Sequence, residues 1–266
     1  MTEADAVAGV VVAEHPSGGA GPDAAGPPDP GSATVEVEGK VMTLVDHLSE
    51  LRTRVVRVIL AVAIGAVVGW LIAPTIRNIL IAPIGSAQVL APGDAFVIQL
   101  KLSLVVGIIL AMPIILYQIW AFVAPGLTRS ERRMLAPLIA LALLFFVLGV
   151  GLAYIILPFA TGFLLSFTDD VLVAGIAAGS YFDFVTTLFL AFGLLMEFPI
   201  VLFGLSRVGI VTSARLVASR RMAILAIAVF AAAATPGGDL VSPFMLGLTM
   251  YLLFEGTILV IRRTGR

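Results

Sequence analysis

The chain has 266 residues, 60 % of them hydrophobic and only 12 % charged, with a formal net charge of −1. Soluble domains run nearer about 45–50 % apolar and 25 % charged, so the composition argues against a soluble globular domain and predicts an integral membrane protein. There is no cysteine, which excludes disulfides, thiol nucleophiles and Cys-ligated metals.

Residues 1–40 differ from the rest. They hold 5 Pro, 7 Gly and 7 acids against one base, Lys40. No apolar face recurs, so the segment cannot offset its ordering entropy and is expected to be a disordered low-complexity extension. It lacks the basic start and the long apolar stretch of a signal peptide. The membrane domain is expected over 41–266. It opens with "MTLVDHLSELRTRVV", where Leu44, Leu48, Leu51 and Val55 recur at helical spacing and Thr43 with Asp46 have capping-box spacing. This predicts a short amphipathic helix at the membrane surface that feeds the first span.

Six apolar spans follow, at about 55–73, 97–120, 134–157, 182–205, 221–235 and 243–261. Small residues at Ala61, Gly65, Gly69 and Ala73 form a stripe on the first span that permits close helix approach. Pro113 predicts a kink in the second span, and Lys101, inside that span, is expected to snorkel outward. Thr128 with Glu131 and Ser180 with Asp183 have capping-box spacing at the starts of the third and fourth spans. Ser242 followed by Pro243 reads as a cap with proline at the first helical position. Only 14 residues separate Arg221 from Pro236, about 21 Å of helix at 1.5 Å per residue, short of a hydrocarbon core of about 30 Å. Asp239 reads as an outer-loop turn residue. No internal repeat suggests the inverted halves of many transporters.

Charge sets the expected orientation. Lys40, Arg52, Arg54, Arg57, Arg129, Arg132, Arg133, Arg207, Arg215, Arg220, Arg221, Arg262, Arg263 and Arg266 fall on alternate connections and the two ends. The opposite loops hold only Arg77 among the bases. The positive-inside rule then places both termini in the cytoplasm.

Three acids carry the functional question. Glu50 stands four residues before Arg54, which fits a helical ion pair. Glu131 stands at the third position of a capping box. Both also present a carboxylate among arginines on the cytoplasmic face, able to take an incoming guanidinium as a bidentate fork. Glu197 lies in "LFLAFGLLMEFPIVLFGL". A charge at the centre of a span costs about 2.5–3.5 kcal/mol on insertion scales, so such a residue usually faces the bundle interior or a wet cavity. Pro199 removes the hydrogen bond to the Leu195 carbonyl and predicts a kink that could open a concave groove. The alternative is a buried packing acid. No catalytic constellation is present: the two histidines, His15 and His47, both precede the first apolar run, and no metal-ligand cluster or phosphate loop is found.

The stretches "HLSELRTRV" (47–55), "PIILYQIWAFVAPGLTRSERR" (113–133), "AFGLLMEFPI" (191–200) and "TPGGDLVSPFMLGLTMYLLFE" (235–255) together resemble the TatC family, the polytopic subunit of the twin-arginine protein translocase. The likeness runs in order from about 43 to 261. Two positions depart from it: Thr-Pro-Gly-Gly-Asp stands where Thr-Pro-Pro-Asp is common, and Thr249 where proline is usual. The resemblance implies an all-α membrane protein, a glove-shaped bundle of six tilted, kinked helices. It implies binding of twin-arginine signal peptides through Glu50, Arg52, Phe122 and Glu131. Glu197, beside Pro199, would meet the single-span partners TatA and TatB in a membrane groove. Folded cargo would cross the bacterial plasma membrane at the expense of the proton-motive force, with no enzymatic step, metal or other cofactor in this subunit. Lipid and further copies of the chain remain open as partners, and nothing points to nucleic acid. The alternative from the residues alone is an ion-coupled secondary transporter using Glu197, or a non-catalytic scaffold.

The orientation is testable on a background free of native thiols. Cysteines placed at Ser213 and Asp170 are expected to react with an impermeant thiol reagent from opposite sides of the membrane, Ser213 from the cytoplasm. Labelling of both from one side would contradict the six-span arrangement.

Overall fold

A computed structural model describes residues 44–126, 132–133, 135–168, 175–207, 209–235 and 239–263. The long apolar runs become α-helices: α1 (Leu44–Ile81), α2 (Asp94–Val123), α3 (Leu135–Leu165), α4 (Ala178–Leu195), α5 (Phe198–Arg207), α6 (Ser213–Ala218), α7 (Arg220–Ala234) and α8 (Val241–Arg263), with one 3₁₀ turn at Ala124–Gly126. The expected surface helix and first span are one uninterrupted helix of 38 residues, about 57 Å long. The expectations for residues 1–40, for the Thr43–Asp46 cap and for the Thr128–Glu131 cap fall outside the described residues.

Five stretches are long and apolar enough to cross a membrane: α1, α2, α3, α4 together with α5 (Ala178–Arg207), and α8. The place of the expected fifth span is taken by α7, which has 15 residues and a length of about 22 Å. It packs on α8, where Ile227 and Ala231 approach Gly247.

The anchor of the first half is the α1–α2 pair. A Cβ on Gly65 would lie 2.6 Å from the Gly107 carbonyl oxygen, and one on Gly69 would lie 2.4 Å from that of Ser103. From the other side, a Cβ on Gly107 would come within 2.5 Å of the Ala66 nitrogen. The two backbones therefore touch where the small-residue stripe predicts close approach. Lipid tails are as apolar as leucine, so this van der Waals contact, rather than a hydrophobic effect, holds the two helices together.

The centre of the bundle is α4, packed against α2, α3, α7 and α8. Its Phe182, Val185, Leu188 and Phe192 are fully buried, with Leu157 of α3 and Leu246, Phe254 and Ile258 of α8 around them. A smaller cluster joins Met112, Leu116 and Trp120 of α2 to Leu138, Ala142 and Phe146 of α3 and Ile200 of α5. Far from that cluster, the α1–α2 connection is clipped to the start of α4. The Gln88 N–H donates to the Ile176 carbonyl, and the Ala178 N–H to that of Gln88, each at 2.8 Å. The second bond satisfies an N–H at the helix start that has no partner within the helix.

Several local expectations are corrected. The start of α4 has Ala177 as its N-cap with no side-chain cap, so Ser180 and Asp183 form no capping box. Asp183 is instead ion-paired with Lys101 of α2, which therefore does not snorkel freely. At α8 the Asp239 carboxylate accepts the Ser242 N–H at 2.6 Å, so the cap is Asp239 and not Ser242. Asp239 is buried, more than a turn residue of an open loop. Pro113 lies inside α2, whose continuity on either side of it is compatible with the expected kink.

Candidate functional site

The antiparallel register of α1 on α2 builds the first polar cluster. His47, Glu50 and Arg54 recur at three- and four-residue intervals and share one face of α1. Gln118 and Phe122, four residues apart, share one face of α2. From the glycine contacts toward the start of α1 and the end of α2, these two faces meet.

Arg54 donates through Nε to Glu50 Oε1 at 3.0 Å, and a second guanidinium nitrogen binds the same oxygen. Its Nη1 donates to Gln118 Oε1 at 3.1 Å, which ties α1 to α2. The other carboxylate oxygen of Glu50, Oε2, is buried and accepts no hydrogen bond among the described residues. His47 Nδ1 lies 3.9 Å from it. The His47 ring stacks on Phe122 with centroids 4.2 Å apart and planes 17° apart. The cluster is thus one carboxylate with an unused acceptor, bounded by a guanidinium, an amide and an aromatic wall. Chemically it suits a further hydrogen-bond donor carrying positive charge.

Glu50 and Phe122 are accordingly brought together, linked through His47. Arg52, two residues from Glu50, sits on the exposed side of α1 and does not join them. Glu131 lies outside the described residues.

Glu197 occupies the break between α4 and α5. The Glu197 N–H donates to Leu194 at 3.1 Å, a shortened turn, and the Glu197 carbonyl accepts from both Ile200 and Val201 at 3.0 Å. Pro199 supplies no N–H, so the ladder cannot run through without a gap, and the helix restarts at Phe198. The Glu197 side chain is half-buried, and its Oε1 is buried without a hydrogen-bond partner among the described residues. Pro199 also lines an apolar cavity of about 330 Å³ between α3, α5 and α8, with Phe145, Phe203, Leu253 and Gly256. Glu197 itself is not among the residues that line it.

Three polar residues escaped the reading of the sequence. Gln118 is a lone amide in an apolar run and is buried, the same signal that singles out Glu197. His47 precedes the apolar runs, so its position in the sequence gives it no role, but α1 carries it onto Phe122. Glu255 is a second carboxylate within an apolar stretch; it accepts from Arg220 Nη2 at 2.6 Å and joins the start of α7 to α8.

Among the described residues no group of His, Cys, Asp and Glu has the makings of a metal site. Long apolar helices, paired charges within them and a polar cluster at one end of the α1–α2 pair define a polytopic helical membrane protein. The family model for the Sec-independent protein translocase protein TatC matches residues 46–248. A TatC of Carboxydothermus hydrogenoformans is 35 % identical over 229 residues, covering 84 % of this chain and 94 % of its own. The chloroplastic TATC of Arabidopsis thaliana is 34 % identical over 234 residues, covering 86 % of this chain and 65 % of its own. A crystal structure of the twin-arginine translocase receptor TatC, 35 % identical, superposes with a TM-score of 0.73 over 83 % of this chain and all of the other. The chain belongs to the TatC family, and it is a protein-translocase subunit, not an enzyme.

Proposed function

We propose that this subunit is the signal-peptide receptor of a twin-arginine translocase. It captures paired arginines of a signal peptide at its cytoplasmic face and takes part in export of folded proteins driven by the proton-motive force. The observation that carries the reading is Glu50: a carboxylate with one buried oxygen unused, next to the His47–Phe122 stack. That arrangement fits a guanidinium, which binds a carboxylate as a planar fork, better than an ammonium. Glu131 is proposed as a second carboxylate of the same site and Arg52 as an exposed neighbour that positions the peptide. The likeness to a crystal structure of a twin-arginine translocase receptor supports the reading.

The same proposal includes both termini in the cytoplasm of a bacterial plasma membrane, with α7 as a sixth, short crossing. A crossing of about 22 Å requires local thinning of the bilayer or cover from neighbouring helices. Glu197 and Pro199 are proposed as the intramembrane contact for TatA and TatB. A carboxylate oxygen without a partner, held at a helix break, is suited to accept a hydrogen bond from a polar side chain of an incoming span.

Two substitutions test the two ends of this account. Glu50→Gln and Glu131→Gln keep size but lose the charge-assisted contact, typically worth about 1.5–3 kcal/mol, so each is expected to weaken binding of an Arg-Arg peptide about tenfold or more. Titration of labelled peptide against the purified variants checks this; parent-like affinity in both reduces these acids to pairing and capping residues. Glu197→Ala is expected to insert and to bind peptide normally, yet to lose crosslinks from position 201 to TatA or TatB, and with them export. Glu197→Gln is expected to be intermediate, since an intramembrane hydrogen bond averages only about 0.6 kcal/mol and the amide retains it. Unchanged crosslinks and export in the Ala variant return Glu197 to a packing role.

A further inference from the structure

We propose that Arg54 is an internal guanidinium that occupies Glu50 in the resting protein and yields it to an arginine of an incoming peptide. Gln118 is the acceptor that keeps Arg54 in place meanwhile. The proposal rests on the reading of Glu50 as a peptide contact and adds the element that sets the threshold for that contact.

Three features carry it. Arg54 engages Glu50 on one oxygen only, through two of its nitrogens, so the carboxylate is half used. The other oxygen is buried with no hydrogen bond, a costly state for a carboxylate unless a further donor arrives. The third nitrogen of Arg54 is bound to the Gln118 amide oxygen, so the guanidinium keeps an acceptor if it leaves Glu50. Gln118 is buried on α2, and its position is fixed by the α1–α2 contact. A neutral amide oxygen is a weaker acceptor for a cation than a carboxylate, so Arg54 returns to Glu50 when the peptide departs.

The consequence is a filter. A ligand must displace a group that the chain itself presents at high local concentration before it gains the buried, unused oxygen. A guanidinium matches the fork that it replaces. A lysine ammonium is a compact point charge without that planar geometry and competes poorly. Discrimination between arginine and lysine then arises from the competitor as well as from the carboxylate.

Fluorescently labelled Arg-Arg and Lys-Lys peptides, titrated against the full chain in detergent, test the proposal with Arg54→Gln and the milder Arg54→Lys. Removal of the competitor is expected to tighten Arg-Arg binding about tenfold in Arg54→Gln, the scale of one charge-assisted contact, with Arg54→Lys between it and the parent. The preference over Lys-Lys is expected to narrow. In a Glu50→Gln background the Arg54 substitutions are expected to change nothing. If the parent prefers Arg-Arg but both Arg54 variants bind it equally or more weakly, Arg54 is a structural tether and the proposal is overturned. Should Arg54→Gln fail to fold, Arg54→Lys decides the matter alone by the same direction. A parent that does not distinguish the two peptides removes the reading of Glu50, and the proposal falls with it.

Discussion

The approach of α1 to α2 over Gly65, Gly69 and Gly107 is the contact on which the polar cluster depends. Two helices in lipid gain nothing from hiding apolar surface, so they associate where their backbones can come close. Here a methyl group at any of the three positions would collide with the opposite backbone. The contact fixes one antiparallel register, and that register alone sets Arg54 opposite Gln118 and His47 opposite Phe122. A change of one residue in register would rotate the Glu50 face away from α2.

The same membrane that makes glycine useful makes charge expensive. The described residues answer this cost by pairing across helices: Lys101 with Asp183 joins α2 to α4, and Arg220 with Glu255 joins the start of α7 to α8. Glu50 and Arg54 pair along one helix. Pairing still leaves buried atoms without a hydrogen bond among the described residues: Oε1 of Glu255, Oδ2 of Asp239, Nε of Arg220 and Oγ of Ser242, and also Oε1 of Glu197 and Oε2 of Glu50. The last two lie on the carboxylates for which an outside partner is proposed. One lies at a broken helix beside Pro199 and the other at the end of a helix pair.

Much of this was legible in the amino-acid order. Apolar run length located the five stretches long enough to cross a membrane, though not a sixth of that length, and the spacing of small residues located the α1–α2 contact. Pro199 marked the break that holds Glu197. What escaped depends on contacts between residues far apart in sequence. Lys101 and Asp183 are 82 positions apart and Arg54 and Gln118 are 64 apart, so no local spacing rule pairs them. Asp183 and Ser180 satisfied a capping pattern, yet the stronger demand of a lysine inside a span claimed the carboxylate. Asp239 and Ser242 traded roles for a related reason: an aspartate three residues before a helical N–H caps it as well as the serine could, and proline after the serine does not decide between them.

The central claim is that the polar cluster around Glu50 recognises the paired guanidinium groups of a signal peptide. Its most direct test is capture of the purified chain by an immobilised signal peptide carrying Arg-Arg, compared with the same peptide carrying Lys-Lys. Charge is equal in the two, so only the fork geometry of the cation differs. The account predicts retention on the Arg-Arg peptide and loss on the Lys-Lys peptide; equal retention on both, or on neither, would contradict it.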